Sequence, residues 1–226
     1  MNVVYKILRS YIKVLFGIGI VRSYSQDAED LLAGIYLRSQ KGTYVDVGAY
    51  HPIQYSNTYH FYKKGWTGIV IDPNPAFKGL YTFFRPRDTF VCCGVASVAQ
   101  EQDYYLYSDG AYNTFSTERA DELSKQTYPR FRHRMKQNIR PLRDILNENA
   151  ITKIDFLSVD VEGLEIDVLE SHDWDIRPKV IAIEDNAFDF ENLGKSKVYA
   201  YLSNKDYKVV AGSPRTPVFI DSRVVV

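Results

Sequence analysis

The chain has 226 residues, 45% hydrophobic and 25% charged, which excludes a disordered or collagen-like protein and fits one generous domain. Lys and Arg number 28 and so do Asp and Glu, so a formal net charge of zero gives no basis for non-specific nucleic-acid binding. Aromatic residues reach 14%, with 18 Tyr, an excess that suits either a packed core or an amphipathic ligand such as a sugar.

Residues 3–21 are apolar-rich but carry Lys6, Arg9 and Lys13 at i, i+3 and i+7, one face of a helix, with Val4, Leu8, Leu15 and Ile18 on another. A spanning helix needs about 20 nearly uncharged residues, and a secretory signal needs a small-residue cleavage site; this segment has neither. Residues 1–22 therefore read as an amphipathic arm on a cytoplasmic protein. Packing on its own domain or on a second copy is the first expectation, and peripheral contact with the inner membrane surface is the alternative.

Beyond the arm, apolar β-branched runs alternate with helix-like stretches. The pattern predicts helix over 27–38, strand over 44–47, helix over 58–63, strand over 69–72, helix over 76–83 and strand over 90–93. It continues with helix over 142–147, strand over 156–160, helix over 164–171, strand over 180–184, helix over 192–203, and strands over 207–211 and 218–220. Such alternation implies an α/β sandwich with a mainly parallel sheet covered on both faces, whose ligands bind beyond the carboxyl ends of the strands. Residues 104–140 are the least strand-like long stretch. They are expected to form an acceptor-binding insertion within a single domain spanning 23–226. Their aromatics Tyr104, Tyr105, Tyr107, Tyr112 and Phe115 suit sugar stacking. Arg130, Arg132, His133, Arg134 and Lys136 either grip an anionic group or form a solvated face. Adjacent Cys92 and Cys93 point to opposite sides of a strand and make poor disulfide partners, so they read as small packed residues in a reducing compartment.

The first strand runs into Asp46-Val47-Gly48, a turn where backbone can approach a ligand closely, and the next into Asp72-Pro73-Asn74-Pro75. Asp72 stands near the spacing at which nucleotide-binding sheets place a carboxylate on ribose hydroxyls. A full G-x-G-x-x-G is missing, which disfavours a pyrophosphate ligand and a nicotinamide oxidoreductase. An adenosine ligand without phosphates, S-adenosylmethionine, fits better. Further on, one buried strand ends in Asp160-Val161-Glu162 and the following one in Glu184-Asp185. Neighbouring strands lie about 4.8 Å apart, so Asp160 and Glu184 converge if these strands are adjacent. Converging carboxylates either bind a divalent cation, with oxygen-only ligands pointing to Mg²⁺, Mn²⁺ or Ca²⁺, or raise a pKa. The other reading has these acids capping helices or pairing with Arg140 or Arg177.

Taken in order, Tyr24–Asp30, Tyr44–Ala49, Tyr55–Thr58, Gly65–Gly68 running into Asp72, and Asp155–Gly163 resemble the FkbM family of S-adenosylmethionine-dependent methyltransferases. The resemblance implies a class I methyltransferase, Rossmann-like, with a seven-stranded mostly parallel sheet and an antiparallel last strand. It implies O-methyl transfer to sugars, glycans or glycosylated natural products. By motif, Asp46 and Gly48 border the methionine part of the cofactor, and Asp72 holds the ribose. Cys93 and Gly94 lie near the adenine, while Ser25, Gln26 and Asn57 close over the cofactor. A looser resemblance, to metal-dependent sugar O-methyltransferases, implies Asp160, Glu184 and Asp185 as ligands of Mg²⁺ or Mn²⁺ and Glu162 as general base. His51, beside the cofactor turn, is the alternative base. The competing reading is an idle glycan-binding scaffold that has kept the fold.

Overall fold

Short runs of Val, Ile, Phe and Tyr build the central strands of the structure, a computed structural model that describes residues 3–224. In chain order come α1 (Val3–Leu15), α2 (Glu29–Gly34), β1 (Thr43–Val47), α3 (Tyr59–Lys63), β2 (Thr67–Ile71), α4 (Phe77–Phe84), β3 (Thr89–Val91) and β4 (Gly94–Val95). Then follow β5 (Gln100–Tyr107), α5 (Thr117–Ser124), β6 (Phe131–Arg140), α6 (Leu142–Glu148), β7 (Phe156–Val159), α7 (Glu165–Glu170), β8 (Val180–Ile183), α8 (Lys197–Ser203), β9 (Tyr207–Gly212) and β10 (Pro217–Asp221).

Seven strands form one sheet in the order β3-β2-β1-β7-β8-β10-β9. β1 pairs in parallel with β2 and β7, and β7 with β8, whereas the last strand, β10, is antiparallel to both β8 and β9. Side chains alternate across this sheet. Val45, Val47, Leu157, Val159, Ile181 and Ile183 pack under Leu142, Ile145, Val168, Leu169 and Leu202 of α6, α7 and α8. Tyr44, Val70, Phe156 and Ala182 face the other way, against Ala33 of α2, Phe61 and Tyr62 of α3, Trp66, and Tyr81 of α4. Each central strand is thus buried on both faces, as a parallel sheet requires.

Three details differ from the sequence reading. The helix expected over 27–38 runs only from Glu29 to Gly34, because Ala28 takes a left-handed conformation (φ 68°) and breaks the approach. The helix expected from 192 begins at Lys197, where the Ser196 side chain accepts from the Tyr199 N–H and caps it. Residues 104–140 are not devoid of strands: β5 and β6 pair antiparallel, with β4 beside β6, in a second, three-stranded sheet. Their alternation is masked because one side of β6 carries exposed Arg132, Arg134 and Lys136, while only Gln137 and Ile139 are buried on the other.

Candidate active site

The carboxyl ends of β1, β2 and β7 open on a cavity of about 630 Å³. At its base Gly48 turns with φ +80°, and its N–H donates to the Ile71 carbonyl at 2.9 Å. A Cβ at this position would lie 1.7 Å from the Asp160 carbonyl oxygen, so only glycine lets the β1 and β7 ends approach this closely. Gln26, Gly48, Asn57, Asp72, Cys93 and Gly94, drawn from well-separated stretches of sequence, all line this one cavity. The Asp72 carboxylate is clamped by backbone, accepting from Tyr50 N–H at 2.9 Å and Asn74 N–H at 2.8 Å. Burial nevertheless outweighs those bonds and pushes its carboxyl up to about 7.

Beyond the ends of β7 and β8, Asp160, Glu162 and Glu184 bring one carboxylate oxygen each within 4.8 Å of one another. Asp160 and Glu162 are reachable from the cavity, whereas Glu184 is buried and its Oε2 has no hydrogen-bond partner. Protein packed around the base of the cavity, reinforced by the Glu184 carboxylate, holds the Asp160 carboxyl well above its usual range; Glu162 is raised in the same way. Glu162 holds a left-handed backbone (φ 54°), as do Tyr50 (φ 47°) and Tyr55 (φ 57°) on the cavity wall. Non-glycine residues in that region carry strain that gathers at working sites. Arg215, from the β9–β10 turn, approaches Glu184 at 3.8 Å. Among the described residues Arg215 is the one Lys or Arg lining the cavity, against the carboxylates of Asp27, Glu29, Asp72, Asp109, Asp160, Glu162 and Glu184.

Four residues expected in the site lie elsewhere. Asp46 follows Tyr44 by two positions and so shares its face of β1, turned away from the cavity. It is buried there, accepting from the Thr58 hydroxyl, which in turn accepts from Arg85 Nη2 at 2.9 Å. Ser25 is spent on Asp30, its hydroxyl donating at 3.0 Å. His51 accepts from the Ile53 and Gln54 N–H groups, both at 3.1 Å, so Nδ1 closes a turn and is not available as a base. Asp185 accepts from the Ser196 hydroxyl and from Ala187 N–H, which leaves it outside the carboxylate cluster; the third carboxylate beside Asp160 and Glu184 is Glu162. The basic residues of β6 also point elsewhere: Arg134 and Lys136 pair with Asp103 at 3.3 and 3.1 Å, outside the cavity.

The largest feature missed in the sequence is Arg85, completely buried at the end of α4. Its Nε donates to Asp88 at 2.7 Å, and Nη1 donates to the Ser56 hydroxyl at 3.1 Å. The rings of Tyr44, Tyr62 and Tyr81 surround it at 5.3, 5.4 and 5.2 Å from their centroids. Part of the tyrosine excess is thereby explained as a cage for a buried cation. The insertion expected over 104–140 does reach the cavity, through Tyr104, the loop Asp109–Asn113 and Phe115, whereas the Arg215-Thr216 turn was unforeseen. The Gly-Ser-Pro-Arg-Thr stretch from Gly212 was a turn signal without a partner in the sequence.

A seven-stranded Rossmann-like sheet with an antiparallel last strand, and an acid-lined cavity at its carboxyl edge, defines a methyltransferase of the α/β class. The profile described as Methyltransferase FkbM domain matches residues 46–209, and the chain belongs to that family. No protein of curated function matches the chain.

Proposed function

We propose that the protein is an S-adenosylmethionine-dependent O-methyltransferase that acts on a hydroxyl of a sugar, glycan or glycosylated natural product with the help of a divalent cation. The observation that carries this reading is the Asp160–Glu162–Glu184 cluster opening into the same cavity as Gly48 and Asp72.

The residues suit both groups. An all-oxygen donor set with one buried, unpartnered carboxylate oxygen fits a hard cation such as Mg²⁺ or Mn²⁺. The side-chain-free turn at Gly48 and the surrounding carboxylates suit a ligand carrying a positive sulfonium and ribose hydroxyls. When bound, S-adenosylmethionine supplies a methyl group on a sulfonium leaving group, and the cation lowers the pKa of the acceptor hydroxyl.

The chain's own residues do the rest. Asp72 accepts from the ribose, Gln26 and Asn57 flank the cofactor, and Cys93 and Gly94 border its adenine end. Asp160 and Glu184 hold the cation. Glu162 takes the hydroxyl proton, and its raised carboxyl brings it nearer the range where a base works at neutral pH. Tyr50, Tyr55 and Tyr112 on the cavity wall offer flat faces to a sugar ring and position its hydroxyl in line with the methyl. The preponderance of carboxylates favours a neutral or cationic acceptor over the anionic one that the β6 basic residues suggested.

Transfer of tritiated methyl from S-adenosylmethionine to a panel of neutral, amino and acidic sugars tests the reading. Neutral or amino sugars should be labelled, and Glu162→Gln should lower kcat by about 10²–10⁴-fold while cofactor affinity stays put. Labelling of nitrogen or carbon sites alone, or full turnover by the variant, would overturn it.

A further inference from the structure

The helix α1, Val3–Leu15, buries none of its residues. Ile7, Val14 and Leu15 are 63%, 70% and 64% exposed, and the apolar run continues through Phe16, Ile18, Ile20 and Val21, all exposed. An isolated helix of this length is marginal in water, and an apolar surface this continuous on a soluble protein marks a docking site. The expectation that the arm packs on its own domain therefore fails among the described residues.

Charge decides what covers it. Lys6, Arg9 and Lys13, with Ser10, form one narrow polar stripe, and Arg22 follows; no acidic residue precedes Asp27. A second copy of α1 would bring the same charges and no counter-charge, whereas a layer of phosphate headgroups complements them. Tyr5 and Tyr11 add rings with an apolar body and a polar tip, suited to that boundary. At about 1.5 Å per residue α1 is roughly 20 Å long, too short for a hydrocarbon core of about 30 Å, and no described helix is long and apolar enough to cross a membrane.

We infer that α1 and residues 16–21 form an anchor lying in the plane of an anionic lipid bilayer. The arm rejoins the domain beside the cavity. Asp30 accepts from the Ser23 and Ser25 hydroxyls and from Tyr24 N–H, the Tyr24 carbonyl accepts from Ser56 N–H, and Gln26 already lines the cavity. From Leu15 to Ser23 the chain spans at most about 30 Å, so the anchor holds the cavity close to the bilayer surface. This inference stands apart from the proposed reaction and is tested without it.

Flotation of the full chain with vesicles of phosphatidylcholine, alone or with about one-third phosphatidylglycerol, reads the anchor directly. Binding should require the anionic lipid and weaken in high salt. With each basic residue contributing about 1 kcal/mol, or about fivefold, Lys6→Gln/Arg9→Gln/Lys13→Gln should lower the partition coefficient on the order of 100-fold. Ile7→Asp/Val14→Asp, which spares those charges, should also abolish binding, with thermal unfolding of the domain unchanged in both variants. Equal flotation on the two vesicle types, no flotation on either, or vesicle-independent dimerisation abolished by the same apolar substitutions would overturn the inference.

Discussion

Two places in this protein gather carboxylates at the ends of strands, and they answer the resulting repulsion in opposite ways. Around β1, Asp46 and Asp88 are buried with Arg85, which bonds Asp88 directly and reaches Asp46 through the Thr58 hydroxyl. Beyond β7 and β8, Asp160, Glu162 and Glu184 meet, and among the described residues the nearest cation is Arg215, 3.8 Å from Glu184. The first group is complete within the protein. The second is electrostatically unfinished, and that supports the proposal that it receives a cation, whereas the first holds the fold.

Breaking the finished group should have the larger effect. Arg85→Met leaves buried acids without their cation, and removal of one partner of a buried pair costs about 3–5 kcal/mol, which urea unfolding will read. A loss below about 1 kcal/mol would mean that Asp46 and Asp88 do not depend on Arg85.

At the unfinished group the sign reverses. The Asp160 carboxyl is raised above its ordinary 3.8. Without a cation, then, the folded state carries no penalty from this group at lower pH, and stability is lost as the pH climbs through the raised value. Asp160→Asn should therefore raise the apo Tm at pH 8 and leave it unchanged near pH 3. Mn²⁺ at about 100 times its Kd should stabilise the wild type by about 2.7 kcal/mol and the variant hardly at all. A Tm that falls in the variant at pH 8, or rises equally with Mn²⁺ in both, would contradict the contrast.

Asp72 gives a smaller effect of the same kind. Under the proposed function its carboxyl, raised to about 7 by burial, must be ionised to accept from the ribose, so affinity for S-adenosylmethionine should fall as the pH drops through that value. Calorimetry at pH 8 and pH 6 should show roughly tenfold weaker binding at pH 6, with proton release on binding near neutrality. The smallest effect belongs to the exposed face of β6. Arg132→Glu/Arg134→Glu should change kcat/KM less than about twofold, as expected of surface side chains outside the cavity.

How legible all this was in the sequence depends on where each strand's side chains point. The seven strands of the main sheet were readable because parallel strands buried on both faces are written as unbroken apolar runs, such as Ile69–Ile71 and Val180–Ile183. β5 and β6 escaped because their outer side is charged. Asp46 and Asp160 looked alike as acids at strand ends, yet the period of two places Asp46 beside Tyr44 on the face covered by α2, α3 and α4. Asp160 falls just past the last ladder residue of β7, where the chain opens to the cavity. That difference was latent in the spacing. Arg85 was not: within Phe84-Arg85-Pro86-Arg87 it reads as one of several surface bases, and only folding brings Tyr44, Tyr62 and Tyr81 around it.

Methyl transfer to an acceptor found in the sugar panel, measured after EDTA treatment and again after Mn²⁺ is restored, tests the central claim most directly. Turnover should disappear with EDTA, return with Mn²⁺ in the wild type, and stay absent in Asp160→Asn although that variant still binds S-adenosylmethionine. Turnover that is indifferent to EDTA and retained by Asp160→Asn would show that the open carboxylate cluster is not the catalytic metal site.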